Sequence, residues 1–219
     1  MIDWAWIASH VDELAYRTAQ HLYLTAIALA IGFVISFALA LLSVRRRAAY
    51  GPVVAVSDVI FTIPSLALFA ALISVTGITL VTAEVPLILY TLLIFIRNIV
   101  AGFDSVPAEV LEAAAGMGFG GSQRLWRVEL PLAVPLLIAG LRLASVSTIG
   151  LVTITATIGI NFGGLGFFIL EGYQRGFPTE ILAGAVLSIC LAIGADILFV
   201  GVQRRATPWA RARARGSAA

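Results

Sequence analysis

Five long apolar runs, spaced along a chain of 219 residues, constrain the fold more than any other feature of this sequence. They cover about 21–44, 53–75, 85–99, 135–158 and 178–202, with boundaries good to a few residues. Roughly 20 apolar residues in a helix cross the hydrocarbon of a bilayer, and the third run sits near the lower limit. The runs are continuous rather than alternating, which argues against an outer-membrane type of barrel. The chain is 60% hydrophobic and 12% charged, about half the charged fraction of a soluble domain. The expected fold class is an all-α membrane protein with about five transmembrane helices.

The basic residues are all arginine, and lysine is absent. A phosphate-binding loop of the type G-x-x-x-x-G-K-[ST] needs its lysine on the phosphates. Any ATP that drives this chain must therefore be hydrolysed by another polypeptide, and no catalytic residue is expected here. Cys190 stands alone in an apolar run, so there is no disulfide framework and no paired-cysteine metal site. His10 and His21 lack a second ligand at helical spacing; no metal and no cofactor is expected. The opening Met1-Ile2-Asp3-Trp4 lacks a basic start and a small-residue cleavage site, so it does not read as a signal peptide.

Arginine also sets the orientation. Arg45-Arg46-Arg47 closes the first span, Arg124 and Arg127 lie in the central loop, and Arg204 and Arg205 close the fifth span ahead of Arg211, Arg213 and Arg215. Five alternating spans place all three clusters on one side. The positive-inside rule then predicts the N-terminus outside, with the central loop and the C-terminus inside. Before the first span, Trp4, Ile7, Val11 and Leu14 form a helical apolar stripe, read as an outer interfacial helix over 1–20. Residues 206–219 read as a disordered basic tail whose arginines suit anionic lipid headgroups rather than nucleic acid.

The central loop, about 101–131, is the longest hydrophilic break in the middle of the chain. Ser105 and Pro107 suit a helix start. Gly116, Gly118, Gly120 and Gly121 suit its end, and Gly118 is a candidate for positive φ. Ser122 suits the cap of a second short helix that Pro131 would end or bend. From the residues alone this is either a surface for a partner or an amphipathic connector on the membrane.

A known pattern separates those two. Permease subunits of ABC importers carry E-A-A-x3-G-x9-I-x-L-P in such a loop. Here Glu112, Ala113, Ala114, Gly118, Leu130 and Pro131 match it, and Val128 stands where isoleucine is usual. The chain is identified on this motif as resembling that family, in which the loop enters a cleft of the ATPase subunit. Thr62-Ile63-Pro64-Ser65-Leu66-Ala67-Leu68 and Ile160-Asn161-Phe162-Gly163-Gly164-Leu165-Gly166 further resemble stretches of the glycine betaine/carnitine/choline osmoprotectant permeases, with Phe162 in place of a small residue. The resemblance covers about 21–205, as an ABC type I importer permease domain.

Within the spans, Pro64 removes a backbone hydrogen bond and is expected to kink the second helix, beside Thr62 and Ser65. Thr62, Pro64, Ser65, Thr153 and Asn161 are the candidates for a translocation path. Simple packing remains open for them, since hydroxyls in membrane helices usually bond their own helix or a neighbour. Gly163-Gly164-Leu165-Gly166 reads as a tight re-entrant turn, with an anion-binding nest as the alternative. Asp58, Arg97, Arg142 and Asp196 lie at similar depth, about 6–12 Å from the inner face by helical rise, and suggest ion pairs between helices.

The resemblance implies a non-catalytic permease subunit of an ATP-driven importer in a bacterial plasma membrane. Its cargo would be an osmoprotectant such as glycine betaine, choline, carnitine or proline. Its implied partners are ATPase subunits, an extracytoplasmic solute-binding protein, a second permease chain alike or paralogous, and membrane lipid. One alternative is the same class with methionine or another amino acid as cargo. A second is an ion-coupled carrier or channel, against which stand the lack of a repeat and of a mid-membrane acid.

Overall fold

The computed structural model describes residues 2–208, and these are almost entirely helical. The order is α1 (Trp4–Ser9), α2 (Val11–Arg45), α3 (Arg47–Thr62), α4 (Ser65–Thr76), α5 (Leu80–Asp104), α6 (Ala108–Gly116), α7 (Gly121–Arg124), α8 (Leu130–Val152), α9 (Gly166–Arg175) and α10 (Pro178–Ala206). Among the described residues, four helical stretches are long and apolar enough to cross a membrane, or five when the bent pair α3–α4 counts as one. The expected tail falls mostly on 209–219, outside the described residues.

Several boundaries differ from those expected, each for a physical reason. The interfacial helix breaks at His10, and Val11 already opens the first long helix, which has 35 residues. At 1.5 Å per residue it is about 52 Å long, more than a bilayer core requires. The third span is not short. Thr79 accepts the amide of Thr82 and starts α5 ahead of the expected apolar run, so that the acidic Glu84 and Pro86 lie inside the helix. Pro131 does not end its helix. Residues Leu125–Glu129 form a π-turn in which Leu130 N–H bonds Leu125 O, and Pro131 falls in the first turn of α8, where a proline is tolerated. The second helix of the central loop is therefore the start of the fourth span, continuous over Gly121–Thr157. Gly120, not Ser122, is its N-cap.

The second span is broken rather than kinked, with α3 and α4 meeting at 91°. Ile63 precedes proline and is held extended at φ −65°, ψ 127°, because the proline ring disfavours helical backbone before it. Pro64 O then accepts Leu68 N–H and starts α4. The Ile63 carbonyl freed by the break accepts the hydroxyl of Tyr90 on α5.

α5 is the central element, packed against α2 and α8 and covered further by α3 and α4. Phe95, Ile96 and Ile99 on α5 form the main core with Ala40, Ala133 and Leu137, against Phe33 and Phe37 of α2. Small residues permit this close approach, as in membrane bundles generally. A Cβ on Gly140 of α8 would lie 2.6 Å from Asn98 Cβ of α5. The outer face of α10, including Val186, Ile189, Ile193 and Ile197, is exposed and apolar, as a lipid-facing helix requires.

Candidate functional site

The break at Pro64 shapes a cleft of about 490 Å³ between α3–α4, α5 and α8. Phe61, Thr62, Ile63, Pro64 and Ser65 form one wall, with Tyr90 and Ile94 behind and Ser147, Thr148 and Leu151 opposite. Among the described residues, no charged side chain lines it. Thr62 Oγ1 donates to Val59 O at 2.7 Å, satisfying its own helix. Phe61 and Tyr90 meet edge to face with ring centroids 5.6 Å apart. Tyr90 was not a candidate on sequence; nothing in its neighbourhood marks a tyrosine that braces a carbonyl 27 residues away.

Thr153 and Asn161 do not line this cleft. α8 ends at Val152, and residues Thr153–Thr157 form a 3-10 turn. There Thr153, Thr155 and Thr157 donate to Gly150 O, Val152 O and Ile154 O at 2.6–2.7 Å, so these hydroxyls are committed to local backbone. Asn161 is exposed, and its carbonyl accepts Gln20 Nε2 at 2.6 Å.

The glycine-rich turn that follows is not an anion nest. Gly164, at φ +48°, donates its N–H to Gln20 Oε1 at 3.0 Å, and Leu165 donates to His21 Nδ1 at 3.2 Å. These two central amides are already taken by two consecutive side chains of α2. His21 is wholly buried there and also bonds Ile149 O.

The charged candidates pair across helices. Arg97 Nη2 on α5 lies 2.7 Å from Asp58 Oδ1 and 2.9 Å from Oδ2 on α3. Arg142 of α8 donates Nε at 2.9 Å and Nη2 at 2.8 Å to a single oxygen of Asp196 on α10. Both pairs are half-exposed in this chain rather than buried. A further pair, missed in sequence, joins Arg47 at the start of α3 to Asp104 at the end of α5.

The E-A-A motif divides into two physical parts. Glu112 and Ala113 on α6 are exposed, and so is Gly118 just beyond it, whereas Ala114 is buried. α6 ends in a two-bond closure in which Phe119 N–H reaches Ala114 O and Gly118 N–H reaches Ala115 O. Gly118 sits there at φ +81°, the left-handed region that a side chain makes costly. Val128, Leu130 and Pro131 are half-buried, and Leu130 packs on the main core. They anchor the loop to the bundle rather than face outward. Met117 and Trp126 are 68% and 56% exposed, large apolar groups beside the motif that sequence reasoning passed over.

Comparison with known proteins agrees with this architecture. Residues 32–211 match the family model described as binding-protein-dependent transport system inner membrane component. The chain is 35% identical over 196 residues to the glycine betaine/carnitine/choline transport system permease protein OpuCB of Bacillus subtilis, covering 90% of this chain and 89% of that one. It is 38% identical over 208 residues to the osmoprotectant import permease protein OsmW of Salmonella typhimurium, covering 93% and 96%. In fold it resembles a chain of the inward-facing MetNI methionine ABC transporter, with a TM-score of 0.77 at 24% identity over 89% of this chain and 96% of the other. An amino acid ABC transporter gives 0.76 at 17% identity, covering 94% and 99%. A motif-bearing loop, a helical bundle of importer-permease shape and a family match over most of the chain converge, and the protein belongs to the inner-membrane components of binding-protein-dependent transport systems.

Proposed function

We propose that this chain is the membrane permease subunit of an ATP-driven importer for osmoprotectants of the glycine betaine, choline and carnitine class. The observation that carries this reading is the exposed half of the E-A-A motif on α6, in a chain 33–42% identical to permeases named for those solutes. Two permease chains, alike or paralogous, enclose the path, and a binding protein delivers solute outside. ATPase subunits dock inside on Glu112, Ala113, Gly118, Met117 and Trp126. The N-terminus lies outside and the arginine clusters inside. Closing of the ATPase dimer is transmitted through α6 to α5 and α8, which flank the cleft at Pro64. The rings of Phe61 and Tyr90 in the cleft suit the quaternary ammonium that all three solutes share, and a lining without charged side chains among the described residues suits the zwitterions betaine and carnitine best.

The test is radiolabelled uptake into proteoliposomes holding the permease with its ATPase and binding protein. ATP-dependent uptake of betaine, choline or carnitine, not displaced by excess methionine, is the expected result. Preferential methionine uptake would transfer the chain to an amino-acid system. Uptake driven by an ion gradient without ATP would place it among secondary carriers.

A further inference from the structure

A second cavity, of about 460 Å³, lies between the C-terminal turn of α2 and the start of the fourth span. It is lined by Leu41, Val44, Arg45, Gly121, Ser122, Arg124, Leu125 and Glu129, and neither the motif nor the cleft accounts for it. Two arginines and one carboxylate leave its lining one positive charge in excess (2 − 1 = +1). The three charges are not equivalent. Glu129 is 9% exposed and takes Arg124 Nε at 2.7 Å, a bond that uses none of the terminal guanidinium nitrogens. Arg45 has no hydrogen-bond or ion-pair partner among the described residues. The Ser122 hydroxyl is exposed beside them.

We propose that this cavity binds the phosphate of an anionic phospholipid. Arginine recognises phosphate oxygens through paired N–H donors, and a single net positive charge matches one phosphodiester. The wall of the cavity selects lipid over a soluble anion. Leu41 and Val44 lie within about one helical turn of Arg45 toward the membrane, so an apolar surface continues directly from the charged rim. That is the profile of a headgroup site with the first acyl carbons beneath it, at the end of a span where basic pockets hold lipid headgroups. The same wall is unsuited to a water-borne acidic segment of a partner protein.

The full-length permease in detergent, titrated with phosphatidylglycerol or phosphatidylcholine and followed by native mass spectrometry and thermal melting, tests this. The wild type should retain phosphatidylglycerol preferentially and melt higher with it. Arg45→Gln and Arg124→Gln should each weaken retention about fivefold, the effect of one interfacial arginine. Arg46→Gln removes the same charge one residue outside the cavity and should retain the lipid. Ser122→Asp, at an exposed position, should abolish the preference while melting as the wild type does in phosphatidylcholine. Equal loss in Arg46→Gln would reduce the effect to diffuse attraction and overturn the site. Inorganic phosphate protecting as well as phosphatidylglycerol at equal concentration would overturn the lipid assignment. Intact lipid retention with lost ATPase co-purification would make the cavity a partner contact instead.

Discussion

His21 on α2 accepts the backbone N–H of Leu165 on its Nδ1 at 3.2 Å, holding the turn before α9 against the first long helix. A backbone N–H only donates, so Nδ1 is the bare nitrogen and Nε2 carries the proton, which it gives to Ile149 O at 2.9 Å. With Gln20 bonding Gly164 N–H and Asn161 O, two adjacent side chains tie α2, the end of α8 and the glycine turn together.

Replacing His21 should expose the worth of that clamp. His21→Phe keeps the bulk but strands a buried donor and a buried acceptor, each costing about 1–3 kcal/mol. His21→Gln retains one donor and one acceptor. Melting of the purified protein should fall most for His21→Phe and less for His21→Gln. Identical melting of all three proteins would show that the bonds add nothing to stability.

Arg142 and Asp196 join α8 to α10 through one carboxylate oxygen. The pair is half-exposed in the chain, so in water it would contribute about 0–1 kcal/mol. In contact with lipid, a stranded partner costs more, about 2.5–3.5 kcal/mol for a charge near a span centre and less toward its end. Arg142→Ala and Asp196→Ala should each lower yield or melting temperature, and the double substitution should recover part of the loss. Additive losses would mean that the charges do not stabilise each other.

At Gly118 the backbone, not space, limits substitution. None of the described atoms lies within 4 Å of a Cβ placed there, but φ is +81°. Gly118→Ala should therefore cost about 1–2 kcal/mol locally and leave insertion into the membrane intact. Gly118→Asp adds a charge to the docking face. Co-purification of the ATPase should weaken in both and more in Gly118→Asp, by about tenfold for each 1.4 kcal/mol of docking energy lost. Normal ATPase binding and uptake by Gly118→Asp would remove the loop from coupling.

Two glycines of α10 should respond with opposite signs. A Cβ on Gly184 would stand 2.7 Å from Leu165 O, whereas none of the described atoms lies within 4 Å of one on Gly194. Gly184→Ala should destabilise by about 1–3 kcal/mol through overpacking. Gly194→Ala should be neutral or stabilise by up to about 1 kcal/mol through helix propensity. Thermal melting in one detergent decides both. A loss at Gly194 as large as at Gly184 would contradict the packing of α10 on α9.

Orientation is open to direct chemistry. With Cys190 replaced by alanine, Gly121→Cys presents a thiol at an exposed position with room for it. A membrane-impermeant reagent should label it in inverted vesicles and leave it unlabelled in intact cells. Labelling from outside would reverse the proposed placement of the central loop.

The sequence by itself determined the class and the family. Uninterrupted apolar runs demand helices in lipid, because each residue's backbone must bond within its own segment. The E-A-A pattern is a local string and could be read without any fold. Tertiary structure decided what each piece does. Pro64 was visible as a breaker, but the 91° angle and its rescue by Tyr90 depend on a hydroxyl from another helix. Pro131 looked like a stop or a bend, and the helix runs on through it after a π-turn. His21 looked idle because its partners lie 128 and 144 residues away. Periodicity and propensity report on neighbours within a few turns. The bonds that close the glycine turn, and the packing that turns half of the motif inward, are set by contacts between residues that only folding brings together.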